Sequence, residues 1–382
     1  MNLSRINRMT EKKEFFQFIS LLRGFAALLV VWSHLVGWWL NANKLESPYQ
    51  YYWENTIVKP FHLYQNGGHL GVVLFFLISG YVITHVSLSE TTTEFLIKRV
   101  LRIFPTLFIA LLITAGIVSL CVYFGLMLPL GTGERTVEQY IYSFLLLNIP
   151  LGMPAALSVT WTLAIEIIFY VLTAIFLMPT KKNALTSTYL FCVIISLTIL
   201  FSPYSQLLKE TAYLLVYIFI LLIGRIYYLG VRSEKDKNKY VMLGVLNFVL
   251  FSYFYDYLYP GRLFSIVSGK VNYPLIYTHV IALCMFLISS QLYFSRNKIV
   301  SFFSEISYSL YLIHLPVGCF VLAICHVNKW SFELSVIVAF VICFILSKCM
   351  YEWIEKPLQN LARKWYSHIS VGRSIDIQAS NL

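Results

Sequence analysis

Residues 18–40 read FISLLRGFAALLVVWSHLVGWWL, a run of bilayer length whose only ionisable side chains are Arg23 and His34. About 20 predominantly apolar residues suffice for a helix to cross the hydrocarbon core. An ionisable group inside such a segment is costly and by default marks function. Arg23 and His34 are eleven residues apart. At about 100° per residue that spacing returns to nearly the same helix face, with roughly 16 Å between the two along the axis. A cation near one membrane face and an imidazole nearer the other are therefore expected to look into one interior.

Nine further stretches of comparable character follow, at 69–88, 103–126, 161–178, 186–202, 212–229, 240–259, 273–293, 302–324 and 332–353. The one at 186–202 is the weakest, because Pro203 ends it early. Residues 137–150 are too short to span and suggest an interfacial or re-entrant helix. The chain is 58% hydrophobic and only 12% charged, against about 25% charge in soluble domains, and its mean hydropathy is +0.71. The fold class expected is an all-α, polytopic integral membrane protein with about ten transmembrane helices. The N-terminus is basic, but the 23-residue run behind it carries Arg23 and no small-residue cleavage site, so it is expected to be an uncleaved first span.

The basic residues orient these spans. With both termini cytoplasmic, 21 of the 29 lysines and arginines fall on the inner side and 7 on the outer, with Arg23 inside a span. That bias matches the positive-inside rule and accounts for the net charge of +11 without a nucleic-acid partner. The organisation expected is a cytoplasmic tail at 1–17, a membrane domain at 18–358 and a cytoplasmic tail at 359–382, with no repeats and no soluble domain. The seven cysteines lie mostly in apolar runs without a CxxC spacing and are expected to be buried, reduced thiols. No HExxH or similar cluster is present, and no metal is expected.

Orientation assigns depths. Glu166, in LSVTWTLAIEIIFY, is expected about two turns below the outer surface, near His34. A carboxylate beside a histidine fixes its tautomer and raises its basicity. Arg99 and Arg102, three apart in KRVLRIFP, share a helix face at an inner end. They serve either as topology anchors or as a grip on phosphates arriving from the cytosol, where the arginine fork suits the geometry. Ser307, Tyr311 and His314 follow i, i+4, i+7 spacing and form one polar stripe on an apolar helix. That stripe either lines a wet cavity or joins helices by hydrogen bonds. Ser79–Gly80 permits close packing. His62, His69, His85, His326 and His368 sit in loops or at ends, and His279, near an outer end, is a secondary candidate.

Taken together, Arg23-x10-His34 in LLRGFAALLVVWSH, the FFLISGY segment, Arg99-x-x-Arg102 followed by IFP, WTLAIE ending in Glu166, SYSLYLIH ending in His314 and the closing EKP resemble the acyltransferase family 3 membrane proteins, which O-acylate sugars of cell-envelope and secreted glycans. The motifs spread over residues 18–358 in the family's usual order. The resemblance implies about ten helices, no bound cofactor, and a cytosolic acyl-CoA donor, most often acetyl-CoA. It implies an acceptor across the membrane: a glycan such as O-antigen, capsule or exopolysaccharide, or a lipid-linked oligosaccharide. It makes His34 the catalytic candidate and associates Arg23, Arg99 and Arg102 with the donor. The chain stops soon after its last span and so resembles stand-alone members, for which an accessory transferase or glycan-assembly protein is a candidate partner.

The function expected is a multi-pass acyltransferase of a bacterial inner or plasma membrane, surrounded by membrane lipid. His34 acts as base or acyl carrier, Glu166 orients it, and the 307/311/314 stripe holds thioester or acceptor. The competing classes are a glycan or lipid exporter with a His/Glu proton relay and a scaffold subunit of a glycan-assembly complex. Inverted repeats and paired broken helices, frequent in transporters, are not visible.

Overall fold

A computed structural model describes residues 3–261 and 274–364, with side chains from residue 17 onward. Arg5, Arg8, Lys12, Lys13, Arg262, Lys270, His368, Arg373 and most of both expected tails lie outside the described side chains. Within them every regular element is helical, as hydrocarbon requires of an open chain whose backbone polar groups must pair internally.

Among the described residues, seven helices are long and apolar enough to cross a membrane: α1 (Gln17–Asn43), α2 (Tyr64–Ser87), α3 (Thr92–Phe124), α7 (Gln206–Val231), α8 (Lys237–Leu258), α10 (Lys298–Val327) and α11 (Phe332–Lys364). Three shorter apolar helices, α5 (Thr160–Ile175), α6 (Ala184–Leu200) and α9 (Leu275–Gln291), overlap the remaining expected stretches. The segment too short to span forms α4 (Val137–Phe144), opened by a Thr136/Gln139 capping box. The chain is a polytopic all-α membrane protein.

α7 is the central helix, with 89% of its apolar window buried against 22% for α8 at the periphery. It packs chiefly on α8 and α2, and α1 lies between α2 and α10. Lipid tails are as apolar as leucine, so close backbone approach rather than hydrophobicity must join such helices. Here α2 and α7 touch main chain to main chain. A Cβ on Gly80 would sit 1.8 Å from the Leu221 carbonyl oxygen, and one on Gly224 would sit 2.1 Å from that of Leu77.

Four π-helical turns occur among the described residues: Ser33–Trp38 in α1, Glu54–Val58 after the short helix Pro48–Trp53, His314–Gly318 in α10 and Tyr351–Glu355 in α11. Such bulges interrupt the i→i−4 ladder and recur at functional sites. In α10 the cause is local: Pro316 has no N–H and would clash with the carbonyl of Leu312 in a regular α-turn. The wider turn relieves both. In this way α1 and α10 present His34 and His314 from loosened turns that face one another.

The cysteines are all free. Cys121, Cys192, Cys319, Cys325 and Cys343 are buried, whereas Cys284 is exposed and Cys349 half-buried.

Candidate active site

The polar stripe of α10 faces the interior along its whole length: Ser307, Tyr311 and His314 are all buried. It joins two cavities. Ser307 Oγ accepts a hydrogen bond from Arg23 Nη2 at 3.3 Å. The Tyr311 hydroxyl lies 2.9 Å from Thr162 Oγ1 on α5. His314 Nε2 lies 2.8 Å from His34 Nδ1.

The smaller cavity, of about 60 Å³, is lined by Arg23, Arg102, Glu166, Ser307, Tyr308 and Tyr311 among others. Glu166 Oε1 accepts from Ser79 Oγ at 2.7 Å, and Oε2 accepts from the Tyr170 hydroxyl at 3.2 Å. A second carboxylate, the buried Glu355 from the π-turn of α11, accepts from Ser309 Oγ. Two guanidiniums thus share a confined space with a carboxylate that is itself fixed by hydroxyls. Buried charges need this compensation, since an unpaired one is strongly destabilising.

The larger cavity, of about 1100 Å³, opens at the other end. His34 forms part of its wall, with Trp38 and Asn41 on the same helix, Gln50, Tyr51 and Tyr52 on the connection to α2 and Asn66 in the first turn of α2. The Trp38 ring lies 5.4 Å from that of His34. Gln50 and Asn66 exchange two side-chain amide hydrogen bonds, at 2.9 and 3.1 Å. Gln65, Asn66 and Gly67 follow one another in left-handed backbone, with φ of 50°, 54° and 89°. Ser33 Oγ clamps this turn by donating to the Gln65 carbonyl at 2.7 Å, and Trp53 Nε1 does so by donating to that of Asn66 at 3.1 Å.

The structure corrects one expected pairing. Among the described residues, the partner of His34 is His314, while Glu166 belongs to Ser79, Tyr170 and the arginine cavity. Glu166 lines the small cavity with Arg23 and Arg102, at the other end of the α10 stripe from His34.

The two arginines of α3 also part company. Arg102 lines the small cavity. Arg99 is buried beside Glu90, with Nη2 3.8 Å from Oε2 and its guanidinium over the Phe95 ring. Lys98 ties Glu90 to Glu94. Glu90, Tyr308 and Glu355 were not among the site residues expected, nor was Tyr170, although its i+4 spacing from Glu166 was legible. His69, expected at an end, is buried, and its ring is 5.2 Å from that of the equally buried His279.

The site is thus an arginine–carboxylate cavity joined by one polar stripe to a histidine on an open cavity, inside a bundle of long membrane helices. The chain belongs to the acyltransferase 3 family (acyltransferase domain), whose model matches residues 16–355. It is 25% identical over 344 residues to the peptidoglycan O-acetyltransferase OatA of Listeria monocytogenes serovar 1/2a, covering 77% of this chain and 52% of that protein. It is 24% identical over 343 residues to the putative peptidoglycan O-acetyltransferase YrhL of Bacillus subtilis, covering 79% and 52%. Over 163 residues it is 31% identical to nodulation protein 10 of Rhizobium leguminosarum bv. viciae, covering 39% and 41%. The chain therefore spans about half the length of the first two relatives. No solved structure matches it.

Proposed function

We propose that the chain is an acyl-CoA-dependent O-acyltransferase of a bacterial inner or plasma membrane, moving an acetyl group from cytosolic acetyl-CoA to a hydroxyl of an extracytoplasmic glycan or lipid-linked oligosaccharide. Its carrying observation is the single interior stripe on α10 that links Arg23 to His34 through Ser307, Tyr311 and His314. The basic residues concentrate at the opposite end from His34, which favours donor entry there. Arg23 and Arg102 meet the donor's anionic part, and Arg99, braced by Glu90, holds the entrance. The acceptor lies in the open cavity, whose rings (Trp38, Tyr51, Tyr52) suit sugar faces and whose amides (Asn41, Gln50, Asn66) suit sugar hydroxyls. The names of the two O-acetyltransferase relatives support acetyl as the group and a glycan as acceptor. An accessory transferase or glycan-assembly protein is a candidate partner in delivery.

In the chemical step the sugar oxygen attacks the thioester carbonyl while His34 Nε2 takes the hydroxyl proton. The C–S bond then breaks, and the same proton passes to the departing thiolate. An acetyl-imidazole on that nitrogen is the covalent variant of the same route. Purified protein in proteoliposomes, given acetyl-labelled acetyl-CoA and a bacterial glycan-lipid extract, is expected to place label in a glycan O-ester released by mild base. Absence of acetyl-CoA-dependent label would overturn the reading.

A further inference from the structure

The His34–His314 contact is an in-plane hydrogen bond. The rings are parallel to within 4° and their centroids are 5.1 Å apart, yet two ring nitrogens approach to 2.8 Å. Parallel rings stacked face to face cannot bring any atom pair that close, so the two imidazoles lie edge to edge.

Proton positions then follow from one fixed end. His314 Nδ1 lies 3.1 Å from the Leu310 carbonyl oxygen, which can only accept, so His314 Nδ1 carries the proton. A neutral imidazole has one donor and one acceptor nitrogen, so His314 Nε2 is the acceptor. The hydrogen between the rings must therefore sit on His34 Nδ1, which leaves His34 Nε2 with a free lone pair. That nitrogen has no protein partner among the described residues, and His34 lines the open cavity. The backbone cooperates: His314 opens its π-turn and His34 is the second residue of its own.

We propose that His314 is a positioning residue that holds His34 in the Nδ1–H tautomer and so directs an unprotonated Nε2 at the acceptor cavity. The tautomer follows from geometry alone, whereas its use in acyl transfer rests on the function proposed above. Both the general-base and the acyl-carrier routes need that lone pair. A histidine thus fills, without any carboxylate, the orienting place that an aspartate holds in serine hydrolase triads. As the sugar O–H breaks and an N–H forms at Nε2, the positive charge on His34 is stabilised through Nδ1–H···Nε2 of His314. When the proton leaves with the thiolate, both rings return to their starting forms.

The test is nitrogen-15 histidine NMR on the full-length protein in nanodiscs, with His34 assigned by its loss in His34→Gln. In the neutral range, His34 is expected to show a protonated Nδ1 and a bare Nε2, the reverse of the form a free histidine side chain prefers. His314→Phe keeps the ring volume but offers no acceptor, and should return His34 to the Nε2–H form. His314→Gln, which can place an amide oxygen near the position of Nε2, should keep the native tautomer. In acetyl transfer, kcat should fall about 100-fold in His314→Phe with donor KM within about twofold, and His314→Gln should recover to within about tenfold of wild type. A bare Nδ1 in the wild type, or an unchanged tautomer in His314→Phe, overturns the proposal. If the tautomers behave as stated but the wild type transfers no acetyl group, the functional reading fails and the hydrogen-bond chain stands.

Discussion

The two ends of the α1–α10 contact solve opposite problems. At Arg23 both helices are regular and close, with the Cβ position of Gly24 only 3.1 Å from Phe303 Cβ, and the adjoining cavity holds about 60 Å³. At His34 and His314 both helices loosen into π-turns, and the adjoining cavity holds about 1100 Å³. The tight end keeps permanent charges and surrounds them with Glu166 and Glu355. The open end keeps two imidazoles that can pair while neutral. Fixed charge sits where packing can compensate it, and exchangeable protons sit beside the open cavity.

The comparison breaks first at His34. His34→Gln retains size and polarity but cannot take the proton, so acetyl transfer should fall about 10²–10⁴-fold while donor binding stays near wild type. Near-normal turnover, read by label in glycan ester, would make the open end structural.

Glu166→Gln should act mainly on the tight end. It removes a carboxylate from beside two guanidiniums and is expected to cost about 3–5 kcal/mol of stability, read by thermal unfolding in detergent. An unchanged melting temperature together with a collapsed kcat would instead return Glu166 to the catalytic role expected from sequence.

The smallest effect separates Arg102 from Arg99. Arg102→Lys should weaken acetyl-CoA binding about tenfold, since lysine lacks the bidentate fork. Arg99→Lys, which keeps a cation beside Glu90, should change it by less than about threefold. Equal losses in isothermal titration would show both arginines on the donor.

What the sequence disclosed depended on whether one helix or several determined it. The apolar stretches, the Arg23–His34 spacing and the 307/311/314 stripe are properties of single helices, and each is found in the structure on one helix face or one element. The fixed backbone contact at Gly80 was legible as a small-residue break. The partner of His34 was not, because it depends on how α1, α5 and α10 assemble, and the assembly puts Glu166 at the arginine cavity and His314 against the imidazole. Pro316, two residues beyond His314, was the one local sign that the helix must widen there. In α1 no residue announces the π-turn. Glu90 escaped notice because it lies between helices, where only the fold brings it to Arg99.

The bare main-chain contact of α2 and α7 limits how far the middle of the molecule can shift. Gly80 and Gly224 seat each helix against the other's carbonyls, so the pair behaves as a keyed shaft. Sliding by one residue, about 1.5 Å, would drive a side chain into a carbonyl that only hydrogen can approach. The middle of the molecule is therefore a fixed frame, and if transfer runs from the arginines to the histidine as proposed above, the distance must be covered by the donor's own length rather than by a shift of these two helices.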